Sequence, residues 1–545
     1  MTSAACVLSS EPTPVARSRA WAIGETAAIF VVFCLFAATP APAVNEAHYL
    51  AKAKHYWNPE WCRGDLFLES ADAHLVFYWT IGWLTRGLPL AAVAWVGRIV
   101  TWGLLAWSWQ RLSFAALPRN GYAILSSLLM LLFVQRFHMA GEWIVGGVEA
   151  KGFAFVLVFL GLEAMLRQRW RAALLMLGAA TSFHVLVGGW SLVAAGAAWL
   201  SCGRLRPSAV SLVPAVLGAI GLALAGLIPA ITLTLGVDPS VVREANRIYV
   251  FERLSHHLVF FRFMDSELLP YGNLLRHAAL LGVWLVCGWL TPCRMSPMNL
   301  GQRPLRGFVG GAVAIAVVGI LIDQALLLRQ DLAAKLLRYY WFRLSDAFLP
   351  VGGAIAICGT AASWLTLRPR AARWLLFGAT AAGTLNLAVA ATQRVADFRR
   401  GASWETVAIE GKLRHNAHDL FRDWQRMCAW VAQNTPAETR LLTPRHQQTF
   451  KWFAERSEVV TWKDVPQDAA SVVAWWQSFD EVFPQEFESA GLAAQGETRL
   501  RELGRKYSAS YVVVDRWRSA APLGFRRVYP TAMDANASFE VYVLE

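Results

Sequence analysis

The feature that most constrains this chain is a series of stretches of about 20 residues with almost no charge, such as Ser208 to Gly236, Gly307 to Leu328 and Trp374 to Ala391. A helix rises ~1.5 Å per residue, so ~20 apolar residues cross the ~30 Å hydrocarbon layer of a bilayer. Charged residues make up only 16% of the 545, and 56% are hydrophobic; an ordinary soluble domain carries about 25% charge. A wholly water-soluble protein is excluded.

The net charge of +13 raises the question of nucleic acid, and its position along the chain answers it. From Gln393 onward there are 20 Lys+Arg and 20 Asp+Glu, which leaves 31 against 18 in the apolar part. The excess sits in short turns free of acidic residues, among them Arg111 with Arg119, Arg167 with Arg169 and Arg171, Arg204 with Arg206, Arg294 with Arg303 and Arg306, and Arg368 with Arg370 and Arg373. Such turns stay on the cytoplasmic side, as do Arg17 and Arg19 before the first apolar run. The charge is therefore a topology signal, and no nucleic-acid partner is expected.

Alternating sides from a cytoplasmic start yields roughly eleven spans. The expected fold is an all-α polytopic membrane bundle with a C-terminal soluble α/β domain. Residues 1–20 form a cytoplasmic N-terminus and 21–392 the transmembrane domain, with exported loops at 44–86, 138–151, 237–271 and 329–346; residues 393–545 form the exported domain. The first span, from Trp21, is read as a retained anchor even though Ala41-Pro42-Ala43 resembles a cleavage site. Ala172 to Leu200 lies between basic turns, so it is read as two short helices that turn near His184 to Trp190, with Gly188-Gly189 supplying the bend. In the tail, Tyr511 to Val514 and Phe539 to Leu544 read as buried strands. Of the cysteines, only Cys62 and Cys428 fall in exported segments, where an oxidising compartment could join them.

Chemistry is sought where polar and aromatic residues crowd the exported loops. The first loop holds Glu46, His48, Tyr49 and Asp65 among tryptophans and tyrosines. These are carboxylates and imidazoles for proton transfer and rings for stacking, or else an interfacial amphipathic helix with an aromatic belt. The second loop sets Glu142 and Glu149 around a glycine pair, followed by Lys151. Beside Glu46, they would form paired acids able to divide acid–base roles or hold a divalent cation; alternatively Glu149 and Lys151 are solvated helix-end charges. The third loop carries Arg253, His256, His257 and Arg262, and the fourth carries Arg343 and Asp346. Guanidinium forks suit a phosphate or pyrophosphate head group, and they also suit plain contact with membrane lipid. Arg98 is the charge nearest the centre of a span, which makes it either functional or structurally paired.

An acidic motif just after the first helix, a second acidic loop between the third and fourth, short early helix pairs and an exported C-terminal domain together resemble the GT-C superfamily of polyprenyl-phosphate-sugar-dependent glycosyltransferases. The strings NEAHYLAKAKHYWNPEWCRGDLFLES, GGVEAKGFA, FERLSHHL and RYYWFRLSD are similar to a family of large bacterial membrane proteins with this layout. The resemblance implies a transferase in the cytoplasmic (inner) membrane that takes a sugar from a polyprenyl-phosphate donor at the outer face. It places Glu46 at the first-loop acid and Glu142 or Glu149 at the second; His256 and His257 of the third loop, adjacent and so about 100° apart on a helix, are read separately as candidates for a single catalytic role. His48, Tyr49, Asp65, Lys151, Arg253, Arg343 and Asp346 would contact substrate. Many GT-C enzymes set a second carboxylate beside the first, where this chain has Asn45. No cofactor is required by the residues, and a divalent cation is the one they could take. A transporter or lipid flippase, or a non-catalytic assembly protein, is the alternative.

Overall fold

The computed structural model describes residues 18–260, 272–290, 302–402, 406, 417–487, 490–531 and 536–544. The expectations placed on Arg17, Arg262 and Arg294 lie outside the described residues. The chain is mostly helical, and among the described residues seven helices are long and apolar enough to cross a membrane: Arg19–Ala37, Leu90–Ala116, Ala209–Thr232, Gly272–Leu290, Arg303–Ala325, Arg343–Leu367 and Pro369–Arg400. Tyr122–Arg136, Ala150–Leu166, Trp170–Phe183 and Val185–Ser201 are shorter, at 14 to 17 residues. Helices suit these runs because lipid offers no partner to backbone amides, and a helix satisfies them internally. Trp102, Trp109, Phe155, Phe159, Phe308 and Phe348 form the inner packing. Val210, Leu217, Leu285, Trp289, Trp374 and Phe377 stand exposed on the outside. An apolar exterior of this extent fits hydrocarbon as the solvent.

The segment 172–200 does form two helices, but the turn is made at His184, whose Nδ1 accepts from the Val187 amide at 3.3 Å and caps the second helix. The glycine pair lies inside that helix. A Cβ on Gly188 would lie 2.2 Å from the Thr181 nitrogen, whereas one on Gly189 would meet nothing within 4 Å. Gly188 thus permits close helix packing and makes no bend. Gly188→Ala is expected to cost about 1–3 kcal/mol through overpacking. Gly189→Ala is expected to be neutral or to stabilise by about 0.4–1 kcal/mol. Thermal unfolding of the two variants in detergent checks the contrast, and equal melting temperatures would refute it.

The helix Pro369–Arg400 runs through position 393, where the exported domain was expected to begin, and ends at Gly401 with φ +79°. Beyond it, helices surround a five-stranded sheet of order β2-β1-β3-β5-β4, with β1 Arg440–Leu442, β2 Ser457–Glu458, β3 Tyr511–Asp515, β4 Arg527–Tyr529 and β5 Phe539–Val543. β1 pairs in parallel with both β2 and β3, and β5 pairs antiparallel with β3 and β4. Cys62 and Cys428 are free thiols buried in different clusters, so the disulfide considered between them does not form.

This sheet region is docked onto the loops of the helical bundle. Ala245 and Ile248 of the third loop enter its core beside Val472, Trp475 and Phe479. Trp452 enters the core of the first loop with Phe67 and Phe77. A polar seam lies between them: Lys451 Nζ sits 2.7 Å from Asp464, 2.5 Å from Glu458 and 3.2 Å from Asp65, and Asp464 also meets His48 at 3.1 Å. Burial pushes the Glu458 carboxyl up to about 7 despite Lys451, while Lys451 and His48 hold Asp464 well below the usual aspartate value against the opposing effect of burial.

Candidate functional site

The second loop is held in place by a carboxylate. Asp346, in the first turn of the helix Arg343–Leu367, accepts the Met139 and Ala140 amides at 2.8 Å each. Gly141 takes φ +84°, and a Cβ there would come within 3.3 Å of the His257 ring. His257 Nδ1 donates to the Ala140 carbonyl at 2.5 Å, which leaves Nε2 as its basic nitrogen. Burial, reinforced by His256, pushes His257 down to about 3, so the ring is neutral at pH 7.

Above this loop lies a cavity of about 190 Å³ where the first, second, third and fourth loops meet the sheet domain. Eight of the residues singled out in the sequence line it: His48, Tyr49, Glu142, Lys151, Arg253, His257, Arg343 and Asp346. Glu142 is the central acid. Its Oε2 lies 2.5 Å from Arg343 Nε, and its Oε1 pairs with Lys151 Nζ and accepts the Trp143 amide at 2.9 Å. Burial pushes the Glu142 carboxyl up, but Lys151 and Arg343 outweigh it and hold the group below the usual glutamate value. Lys151 stacks 3.9 Å over the Trp143 ring and Arg343 4.0 Å over the Tyr340 ring. Arg253 Nε donates to the Trp462 carbonyl at 2.8 Å. The cavity therefore gathers four cations, Lys151, Arg253, Arg343 and Lys463, against two carboxylates, Glu142 and Asp346, the second of them already accepting backbone amides. Such a balance favours an anionic guest.

Four sequence candidates are placed elsewhere. Glu46 is 0% exposed, and four donors saturate its carboxylate: Arg98 Nε at 2.6 Å and the Val148 amide at 2.9 Å on Oε1, Arg98 NH2 at 2.5 Å and the Ala43 amide at 2.7 Å on Oε2. It has no free lone pair for a proton or a metal, and it does not line the cavity. Its partner Arg98 is thereby structural. Glu149 lies just behind the wall, taking Asn45 Nδ2 at 3.2 Å and Lys151 Nζ at 3.0 Å. Asp65 is buried in the seam, capping Leu68 and pairing with Lys451. His256 is exposed outside the cavity lining, its ring centroid 4.0 Å from that of His257 and its protonation opposed by partial burial and by Arg253 and Lys463. Glu142 and Glu149 do come together, but around a lysine instead of Glu46. Among the described residues no group of three or more His, Cys, Asp or Glu is arranged to hold a metal ion, so the two acids fit a divalent cation poorly.

Glu142 stands at a junction. It lines the cationic cavity and also a second groove of about 270 Å³, whose walls include Phe36, Met130, Leu131, Val134, Ile144 and Val145. Asn45, Gly141 and Trp143 are shared by the two as well. A charged chamber thus adjoins an apolar trough between the first helix, Tyr122–Arg136 and the second loop, with these four residues as their common wall.

The sequence reading missed Lys463 and Gln467, which the sheet domain contributes to the cavity, and Tyr249 of the third loop. The available signal was the run Thr461-Trp462-Lys463-Asp464-Val465-Pro466, a lysine inside an aromatic, proline-closed turn. The family profile described as a domain of unknown function, DUF6798, matches residues 422–482, the segment that carries Lys451, Lys463 and Gln467. No curated protein matches the chain.

Proposed function

We propose that the protein is a GT-C-like glycosyltransferase of the bacterial inner membrane that uses a sugar carried on a polyprenyl phosphate at the outer face. The observation that carries this reading is a cationic cavity set directly beside an apolar trough, with Glu142 in the wall of both, which suits a ligand with a phosphate head and a hydrocarbon tail. All eleven helices would span, the basic turns would lie in the cytoplasm, and the four loops with the sheet domain would lie outside. In support, Arg111, Arg167 and Arg169 of two such turns gather around Glu163, away from the cavity.

In this reading the donor phosphate takes up the charge of Arg343, Arg253 and Lys151. Glu142 then loses part of the field that keeps its pKa low and becomes a better base. It accepts the proton of an acceptor hydroxyl as that oxygen bonds the anomeric carbon. The carbon–oxygen bond to the phosphate breaks, and the polyprenyl phosphate departs with the electron pair, stabilised by the cations. Glu142 replaces Glu46 as the base.

The test is transfer by the purified full chain in nanodiscs, supplied with polyprenyl-phosphate sugars and lipid or glycan acceptors, with products read by mass spectrometry. Release of free polyprenyl phosphate with a glycosylated acceptor supports the reading. Movement of intact carrier across proteoliposomes without bond cleavage would instead establish a flippase.

A further inference from the structure

The cations of the cavity are not equally occupied. Lys151 has Glu142 and Glu149, and Arg343 has Glu142. Arg253 spends only Nε, on the Trp462 carbonyl, and its terminal nitrogens have no hydrogen-bond partner among the described residues. The Lys463 ammonium makes no hydrogen bond or ion pair among the described residues, although the residue lines the same cavity. The nearest acid in sequence is withheld from it, because Asp464 points the other way, into the seam with Lys451 at 2.7 Å and His48 at 3.1 Å.

The lysine is held by design of the turn. The Trp462 amide donates to the Arg445 carbonyl at 3.0 Å, the Val465 amide to the Lys463 carbonyl at 3.0 Å, and Arg253 stacks 5.0 Å over the Trp462 ring. Two like charges close enough to act on each other thus line one cavity, and neither pairs with a carboxylate among the described residues. Like charges brought together in a water-poor site repel, and an anion converts that repulsion into binding.

We propose that Lys463, carried by the C-terminal domain, is an anion ligand of the cavity and grips a phosphoryl oxygen together with Arg253; this rests on reading the cavity as a phosphate-ester site. One ligand atom then comes from a membrane-domain loop and the other from the sheet domain, so the domain completes the site.

The lysine's environment sets a pH signature. Burial, helped by Arg253, lowers Lys463 from the ordinary lysine value to about 8, while Asp464 and Glu149 oppose the shift. Lys151 faces it with like charge, and Arg343, Glu142 and Tyr249 share its cavity. His48, His257, Tyr49 and Tyr340 on the same walls are kept neutral by burial at pH 7 to 9, and His256 of the third loop, pushed down to about 4 by partial burial and by Arg253 and Lys463, is neutral there too. Anion binding needs the protonated amine, so affinity is present below about pH 8 and falls as pH rises through it.

Inorganic pyrophosphate binding to the full chain in detergent micelles, followed by calorimetry, tests the assignment. Lys463→Met is expected to weaken binding about tenfold to a hundredfold, as the loss of charge-assisted hydrogen bonds does. Lys463→Arg is expected to retain it and to abolish the decline above pH 8, because guanidinium does not titrate there. Unliganded melting temperature and gel-filtration profile identify a variant that fails to fold, and Lys463→Arg then decides by its pH profile. If the wild type binds and Lys463→Met binds equally well, or Lys463→Arg keeps the wild-type decline, the assignment of Lys463 is overturned while the cavity reading stands. If the wild type binds no pyrophosphate, the phosphate reading falls, and this assignment with it.

Discussion

Replacing Arg98 by methionine is expected to destabilise the protein by about 3–5 kcal/mol, the usual consequence of stranding one partner of a buried ion pair. Arg98 and Glu46 are both 0% exposed, and Arg98 additionally donates to the Thr39 carbonyl at 2.5 Å, so the pair ties the helix Leu90–Ala116 to the start of the first loop. Gly147 is part of the same fitting: a Cβ there would lie 3.0 Å from Glu46 Oε1, and the second loop can close over the pair only because that position is glycine. Without the arginine, Glu46 would be left facing Val148 and Ala43 amides that cannot neutralise it. The double variant Glu46→Gln with Arg98→Met removes both charges and is expected to recover most of the loss, since apolar replacement of a complete buried pair is often neutral or better. Thermal unfolding of the two singles and the double in nanodiscs completes the cycle. Wild-type stability in Arg98→Met would show that Glu46 is not held as described, and would reopen it as a catalytic group.

Glu142→Gln is expected to lower glycosyl transfer by about 10²–10⁴-fold, the range that a positioned general base supplies. The amide keeps the shape of the side chain and can still accept from the Trp143 amide, so the second loop stays anchored through Asp346. Glu46→Gln is expected to behave oppositely, with reduced yield of folded protein and nearly unchanged turnover per folded molecule. Comparing kcat with the folded fraction for the two variants separates the roles. Equal loss of turnover in both would move the base back to Glu46, and unchanged turnover in Glu142→Gln would end the enzymatic reading of this carboxylate.

The helices and their order were legible in the sequence because the bilayer imposes one rule on every apolar run, and that rule depends on length and composition alone. The strands Tyr511–Asp515 and Phe539–Val543 were legible for a similar reason, as short β-branched and aromatic runs bounded by turns. The loops bearing the chemistry could be listed in the same way, and eight of their residues do share one cavity. Which acid would be free was not legible. Glu46 looked catalytic by its position after the first helix, but its partner Arg98 is 52 residues away. Glu142 and Glu149 share Lys151 and were equivalent on paper until Arg343 on the first and Asn45 on the second distinguished them.

What the sequence determined by itself was the class of molecule, a chain dominated by apolar helices suited to a membrane and followed by a small mixed tail, because hydrophobicity acts through composition over whole segments. What only the tertiary structure decided was the pairing of individual charges. An ion pair is settled at distances of about 3 Å between residues remote in sequence. That is why Lys463, 417 residues beyond Glu46, becomes part of the cavity while Glu46 is sealed out of it.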